Sequence, residues 1–190
     1  QLDEINSETQ KKKDQLEDWF GKNKKLELPF YSSFDIRNAE YKTAVIDSNA
    51  FPAGFNNLCD ETHPIAKDAI KSFIKAKFPG TKKIAIISEV TTNSFYYGNL
   101  NEIKKLLEES GFEVRTATIE KSDNIEQFEK RGQKLCIKEF ITDLLISNND
   151  FSSTDTSMLN GITQPITPNH NLGWYKRKKH RHFCVKNELI

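Results

Sequence analysis

Short apolar runs alternate along this chain with segments in which apolar residues recur at helical spacing. Continuous apolar runs lie within residues 83–87 and at residues 144–146, and a third, short run at residues 43–46 ends at Asp47. Such runs are typical of strands that are buried on both faces of a parallel sheet. Residues 112–119 alternate less cleanly, but they are also strand-like.

Two helices are predicted between these strands. The first begins at Thr62, a candidate cap, and ends at Gly80. For the second, Asn99 and Glu102 have the spacing of a capping box, and Gly111 follows its last apolar residue. This alternation of strand and helix predicts an α/β fold, with a mostly parallel sheet flanked by helices.

Three regions follow from the pattern. Residues 1–28 are predicted to be an N-terminal helical extension, because residues 3–25 are highly charged and carry only a thin apolar stripe. Residues 29–150 make up the α/β domain. Residues 151–190 are predicted to be a loop and a basic linker, since Ser, Thr, Asn, Gly and Pro dominate their first part.

Composition adds limits to this picture. The chain has 190 residues, 13 of them Phe, and a formal net charge of +1, so it has no overall field that attracts nucleic acid or a membrane. The 3 cysteines have no paired spacing, which argues against a disulfide framework and favours the cytoplasm. No apolar stretch approaches the length of a membrane span. The chain begins without Met and ends at Ile190 within a pattern, so we expect it to be part of a longer protein.

Polar residues follow three of the predicted strands. The first strand is followed by Asp47 and Asn49, and the second by Glu89 and Asn93. The last strand is followed by residues 148–150, which include Asn149 and Asp150. Ligands of parallel sheets bind beyond the carboxyl ends of the strands, where these residues would gather. Carboxylates and amides together suit a zwitterionic ligand. The alternative is that each residue only forms a turn or a helix cap.

The segment 51–57 follows the first strand directly. Phe51 and Phe55 are predicted to anchor it to the core, while Pro52 and Gly54 fix its shape. Asn56 and Asn57 would then face a ligand. The alternative is a stiff loop that packs and does nothing more.

A basic run occupies residues 175–182. Its cations could bind nucleic acid or the phosphates of a nucleotide, or could simply be solvated; they include Arg177, Lys178, Lys179 and Arg181. The sequence shows neither a metal-ligand spacing nor a nucleophile–base arrangement, so it predicts no catalytic residue and no metal ligand.

Several stretches of the chain together resemble a known family. The string from Asp47 to Leu58 is the most specific match, and further stretches agree in order: 35–39, 91–96, 144–150, 161–165 and 173–183. Over residues 29–185 the chain resembles the N-terminal portion of the proteobacterial-type (type 3) glutamate–cysteine ligases, or gamma-glutamylcysteine synthetases.

The resemblance implies an activity that composition does not show. Such enzymes join the γ-carboxyl of glutamate to the amino group of cysteine, using ATP and Mg²⁺, in the first step of bacterial glutathione biosynthesis. It also implies that residues 29–150 form a pre-ATP-grasp domain that helps to hold the amino-acid substrates. The ATP-grasp segment would follow the end of this chain, so the chain alone is expected to bind neither ATP nor Mg²⁺ and to be inactive.

The resemblance, together with the strand ends, assigns candidate site residues. Substrate contacts are expected first from Asp47, Asn49, Asn56 and Asn57, and second from Glu89, Asn93, Asn149 and Asp150. In the complete enzyme, we expect the phosphates of the nucleotide, or the acyl phosphate, to contact four basic residues: Arg177, Lys178, Lys179 and Arg181.

The competing hypothesis is a non-catalytic α/β binding module whose basic run docks RNA or a protein partner. It predicts RNA binding by the chain with a steep dependence on salt. The near-neutral net charge and the lack of a nucleic-acid-binding motif disfavour it.

Overall fold

The structure, a computed structural model, describes residues 2–23, 30–39, 41–151 and 154–170. Short 3₁₀ turns lie at Phe55–Asn57, Asp60–Thr62 and Ser157–Leu159. The helices and strands of these ranges are, in chain order, α1 (Leu2–Lys11), α2 (Lys13–Asn23), β1 (Ser33–Ala39), β2 (Lys42–Asn49), α3 (His63–Lys77), β3 (Lys83–Ser88), α4 (Ser94–Glu109), β4 (Glu113–Thr118), β5 (Glu129–Arg131), β6 (Lys134–Ile137), β7 (Phe140–Ile141), β8 (Leu144–Ser147) and β9 (Ile166–Thr167).

A four-stranded parallel sheet with the order β4-β3-β8-β9 forms the centre of the molecule. Ile84 of β3 lies opposite Val114 of β4 on one side and Leu144 of β8 on the other. The α/β class and the parallel strands predicted at residues 83–87, 112–119 and 144–146 are therefore confirmed.

The core lies on both faces of this sheet, because successive side chains of a strand point in opposite directions. On one face, Ile84 and Ile86 pack with the apolar side of α4, including Leu106. On the other face, Ala85 and Ile87 pack beneath the antiparallel sheet β5-β6-β7. Burying each such Leu or Ile side chain contributes about 1.5–3 kcal/mol.

The prediction that residues 43–46 form a buried strand was wrong. They belong to β2, which pairs antiparallel with β1 in a separate two-stranded hairpin. Val45 and Ile46 are 55% and 63% exposed. A short apolar run identifies a strand, but it does not encode the partner that will cover that strand.

Both predicted helices are present, but their caps differ from the prediction. Thr62 precedes α3 without capping it, because its hydroxyl donates to the carbonyl oxygen of Cys59. The second helix begins five residues earlier than its predicted cap, at Ser94, and Asn93 caps it. Asn99 therefore lies inside α4, where it is 5% exposed.

The ends of the described chain also differ from the predicted pattern. The helix predicted at residues 3–25 is divided at Lys12 into α1 and α2, which are exposed where their side chains are described. Part of the loop predicted after residue 150 forms β9, the fourth strand of the sheet. The domain boundaries at residues 28 and 150 stay predictions. Within the ranges given above, no helix is long and apolar enough to cross a membrane.

Candidate functional site

The carboxyl edge of the parallel sheet gathers three half-buried carboxylates. Glu89 follows β3, Glu120 lies just beyond β4, and Asp150 lies just beyond β8. The charges of Asp150 and Glu120 both raise the pKa of Glu89. The strand-end rule predicted Glu89 and Asp150. It missed Glu120, although a carboxylate directly after a strand-like segment was the available signal.

Glu89 is in an unfavourable place for a negative charge. Burial is the largest cause that raises the pKa of its carboxyl, followed by the charges of Asp150 and Glu120. Its backbone N–H donates a 2.7 Å hydrogen bond to the hydroxyl of Tyr96 on α4. Burial likewise raises the pKa of Tyr96, which keeps this phenol protonated. The strand end is thus fixed to the first turn of α4, while its carboxyl stays close to two like charges.

Two consecutive asparagines complete this edge. Asn148 and Asn149 are each 4% exposed. Within the described part of the chain, the Asn148 Oδ1 and Asn149 Nδ2 atoms have no hydrogen-bond partner. A buried polar atom without a partner costs about 1–3 kcal/mol. One acceptor atom and one donor atom at this strand end are therefore buried without a hydrogen-bond partner, which is rare in folded proteins.

The segment after β2 is bound to the same edge. The Pro52 carbonyl oxygen accepts a 2.7 Å hydrogen bond from Asn148 Nδ2 and a 3.2 Å bond from Asn99 Nδ2. The Phe55 N–H donates a 2.9 Å bond to Asn99 Oδ1. Phe51 is buried and Phe55 packs against the core cluster beneath α3 and α4, so the predicted anchoring by both is confirmed.

Asn56 and Asn57 lie at the exposed tip of this loop. The Asn56 amide lies against Gly98 of α4, with its Nδ2 atom 3.7 Å from the place where a Gly98 Cβ would be. The Asn57 amide lies equally close to Gly54. Both side chains can be reached from solvent, and their contact with a substrate stays a prediction.

Asp47 and Asn49 do not end a strand of the parallel sheet, contrary to the prediction, because β2 lies in the hairpin. They line an open cleft of about 380 Å³ between the hairpin and the loop. Asp35 lies directly opposite Asp47 in the hairpin and lines the same cleft. Asn49 uses its Oδ1 atom to accept a 3.0 Å hydrogen bond from the Phe51 N–H.

Asn93 has a structural role in the described part of the chain. Its Oδ1 atom accepts hydrogen bonds from the Phe95 and Tyr96 N–H groups, at 3.0 and 3.4 Å, and so caps α4. This is the alternative that the sequence left open for every strand-end residue. The four basic candidates Arg177, Lys178, Lys179 and Arg181 lie outside the described residues.

The described ranges offer no cluster of three or more His, Cys, Asp or Glu side chains that could hold a metal ion. The carboxylates of the sheet edge are therefore not arranged as metal ligands. Their sign also disfavours a polyphosphate, since like charges repel. The edge can best accept a small molecule that carries a cationic group and hydrogen-bonding atoms.

Comparisons with known proteins agree with this fold. A family model described as GshA: Glutamate-cysteine ligase matches residues 6–190. A crystal structure of a protein assigned as a gamma-glutamylcysteine synthetase, from Methylobacillus flagellatus KT, is 28% identical and superposes with a TM-score of 0.82. The match covers 98% of this chain and 48% of that chain, so the chain spans about half the length of that protein. No curated protein sequence matches this chain.

Proposed function

This chain belongs to the GshA glutamate-cysteine ligase family, and from that membership we propose that the protein containing it joins the γ-carboxyl of glutamate to the amino group of cysteine. The reaction is an ATP-dependent carboxylate–amine ligation and supplies the first intermediate of glutathione biosynthesis. A carboxylate is a poor acceptor for an amine, because oxide is not a usable leaving group. ATP, as a substrate, provides the phosphate that leaves when the C–N bond forms.

Within this reaction, we assign the binding of the amino-acid substrates to the described part of the chain. The observation that supports it is the carboxyl edge of the sheet, where Glu89, Glu120 and Asp150 lie just beyond neighbouring strands and the charges of the last two raise the pKa of Glu89. Three carboxylates favour an ammonium group and repel a triphosphate. The loop at Pro52 is hydrogen-bonded to the same edge, so its tip residues Asn56 and Asn57 are carried on a fixed support.

The described residues do not fit ATP or Mg²⁺. They include no candidate cluster of metal ligands, and the whole sequence has no glycine-rich motif of the kind that cradles phosphates. We therefore derive no step through either group from these residues. The basic run carries the positive charge that phosphate requires, and Arg177 and Lys178 are among its cations. We propose that this run contacts the phosphates of the nucleotide.

The proposed setting is the bacterial cytoplasm. Three cysteines without paired spacing suit a reducing compartment, and the substrate cysteine itself must stay reduced there.

The test is product formation by the complete protein. Purified full-length protein, given glutamate, cysteine, ATP and Mg²⁺, is expected to form γ-glutamylcysteine, detected by mass spectrometry, together with ADP and phosphate. Omission of any one substrate should abolish the product, which serves as the internal control. If folded protein forms no γ-glutamylcysteine at saturating substrate, the proposal is wrong.

A further inference from the structure

The hairpin of β1 and β2 has two faces of opposite character. Successive side chains of a strand point to opposite faces, and directly paired residues of two strands share a face. One face carries the pairs Ser33–Asn49 and Asp35–Asp47, and all four of these residues line the cleft beside the loop. The cleft therefore uses the polar face of the hairpin, and the other face points away from it.

The other face of the hairpin is apolar and exposed. It carries Ile36 and its direct partner Val45, while Phe34 lies two positions before Ile36 on the same face. In the described part of the chain, Ile36, Val45 and Phe34 are 62%, 55% and 56% exposed. Ile46, in the β-bulge beside Val45, is also exposed. We call these four residues the apolar patch. Exposed apolar side chains that lie together mark an interaction surface, whereas single ones are ordinary.

We propose that the apolar patch is the docking surface for the remainder of the complete protein, outside residues 1–190. The inference goes beyond the proposed ligase function and does not depend on it. The surface that docks there is itself apolar, because the side chains of the patch offer no charge and no hydrogen-bonding group. Docking also holds one wall of the cleft in place, since the same two strands carry the patch on one face and line the cleft with the other.

The hairpin needs a covering element to be stable. It forms a two-stranded sheet of its own, and no other strand of the described ranges pairs with it. A single two-stranded hairpin is only marginally stable in water, and packing of its apolar face against another element is what stabilises it. The apolar patch is the part of this hairpin whose burial would supply that stability.

The length of the related structure indicates which element covers the patch. This chain spans about half of the protein on which it superposes, so a comparable length of chain lies outside the match. A segment joined covalently to the hairpin meets it at an effective concentration of about millimolar. A second copy is far more dilute in solution and also loses translational and rotational freedom when it associates. The remainder of the same protein therefore occupies the patch ahead of a second copy.

The test measures chemical access to the patch in the complete protein. Ile36→Cys and Val45→Cys are labelled with N-ethylmaleimide, and the rate is followed for each peptide by mass spectrometry, because Cys59 is also exposed and reacts. The control is Ile141→Cys, since Ile141 is a 47% exposed apolar residue of β7 in another antiparallel sheet. Light scattering gives the oligomeric state at each protein concentration.

Both patch thiols are expected to react at least about tenfold more slowly than the Ile141→Cys thiol, because a covered site reacts only when the interface opens locally. The rates should stay slow in dilute protein that is monomeric. A second pair of variants reports on stability. Ile36→Thr keeps a β-branched side chain but should lower the urea midpoint of the complete protein, whereas Ile141→Thr should leave it nearly unchanged.

Three results would overturn the proposal. If the patch thiols react as fast as the Ile141→Cys thiol, nothing covers the patch. If they are protected only at concentrations where the protein dimerises, the occupant is a second copy. If the Cys variants do not fold, the Thr variants decide, and a parent urea midpoint for Ile36→Thr contradicts the docking. Labelling requires no substrate, so a failure to form γ-glutamylcysteine would overturn the ligase assignment and leave this test unaffected.

Discussion

The side-chain amide of Asn148 donates a 2.7 Å hydrogen bond to the carbonyl oxygen of Pro52, 96 positions earlier in the chain. Asn99 donates to the same oxygen, so one backbone carbonyl joins the loop to both β8 and α4. Both amides are buried, and water does not readily replace their bonds. The position of the loop is thereby coupled to the carboxyl edge of the sheet.

Replacement of Asn99 by Ala should release the loop from α4. The variant leaves the Phe55 N–H without its 2.9 Å acceptor and removes one donor from Pro52. We expect the free energy of unfolding of the full-length protein to fall by about 1–3 kcal/mol, the cost of unsatisfied buried groups. Asn101→Ala, at an exposed site of the same helix, is the control and should change it by less than about 0.5 kcal/mol. Equal effects in denaturant titrations would contradict the coupling.

The central sheet was predictable because its strands are buried on both faces. Continuous apolar runs, such as those at residues 83–87 and 144–146, are typical of such strands. The helical patterns between the strands, which end at glycines, support the same α/β alternation. The hairpin was harder, since the run at residues 43–46 is equally apolar, and its pairing with β1 depends on tertiary structure. The cap of α4 was misplaced because Asn93 and Asn99 are both good capping residues, and the helical pattern leaves its start uncertain.

The candidate site was predictable where it follows from strand ends. Glu89, Asn149 and Asp150 lie within four residues of the end of an apolar run, and the parallel sheet brings those ends together. Asn99 was recognised only as a cap, because its bonds to Pro52 and Phe55 span 47 and 44 positions. No local sequence pattern predicts contacts between residues that are so far apart along the chain. The charge coupling of Glu120 to Glu89 likewise required the position of β4 beside β3.

The loop tip provides a direct test of substrate contact. Asn56→Ala and Asn57→Ala change exposed side chains, so stability should change by less than about 0.5 kcal/mol. If each amide binds a substrate, kcat/KM of the full-length enzyme should fall by about two- to tenfold for each lost hydrogen bond. The variants can also be compared in a strain that lacks the ligase. Parent-level activity in both variants, as expected for Asn160→Ala at an exposed site, would remove these residues from the site.

Gly98 of α4 should accept a methyl group. A Cβ built there meets the Asn56 side chain at no less than 3.7 Å, which is ordinary van der Waals contact. Ala also restricts the unfolded chain and favours a helix, so Gly98→Ala should raise the free energy of unfolding by about 0.5–1 kcal/mol. Gly111→Ala is the contrasting variant, because its φ of +96° is strained for any side chain. Gly98→Ala should stabilise and Gly111→Ala should destabilise; the opposite order in thermal unfolding would contradict the prediction.

The side chain of Gln164 hydrogen-bonds the segment before β9 to the neighbouring antiparallel sheet. Its side chain accepts from the Leu135 N–H and donates to the carbonyl oxygens of Leu135 and Thr142. These groups are buried, so Gln164→Ala should lower the free energy of unfolding by about 1–3 kcal/mol. Gln133→Ala, an exposed neighbour of the same region, is the matched control. If Gln164→Ala unfolds at the same denaturant concentration as the parent, the Gln164 side chain does not hold this segment to Leu135 and Thr142.

Glu89 should make stability depend on pH in a defined direction. Burial first, and then Asp150 and Glu120, raise the pKa of its carboxyl in the folded protein above the ordinary value of 4.5. The folded state therefore retains the proton to higher pH than the unfolded state. The stability contributed by this group is fully present below pH 4.5 and is lost as the pH rises through the folded pKa. Glu89→Gln imitates the protonated form and should remove that loss.

The variant is thus expected to be more stable than the parent at neutral pH, and the difference should vanish below pH 4.5. Urea titrations of both proteins at several pH values measure it, with Glu113→Gln as an exposed control. A fall in stability at neutral pH would mean that the Glu89 carboxylate is held by favourable partners rather than crowded by like charges.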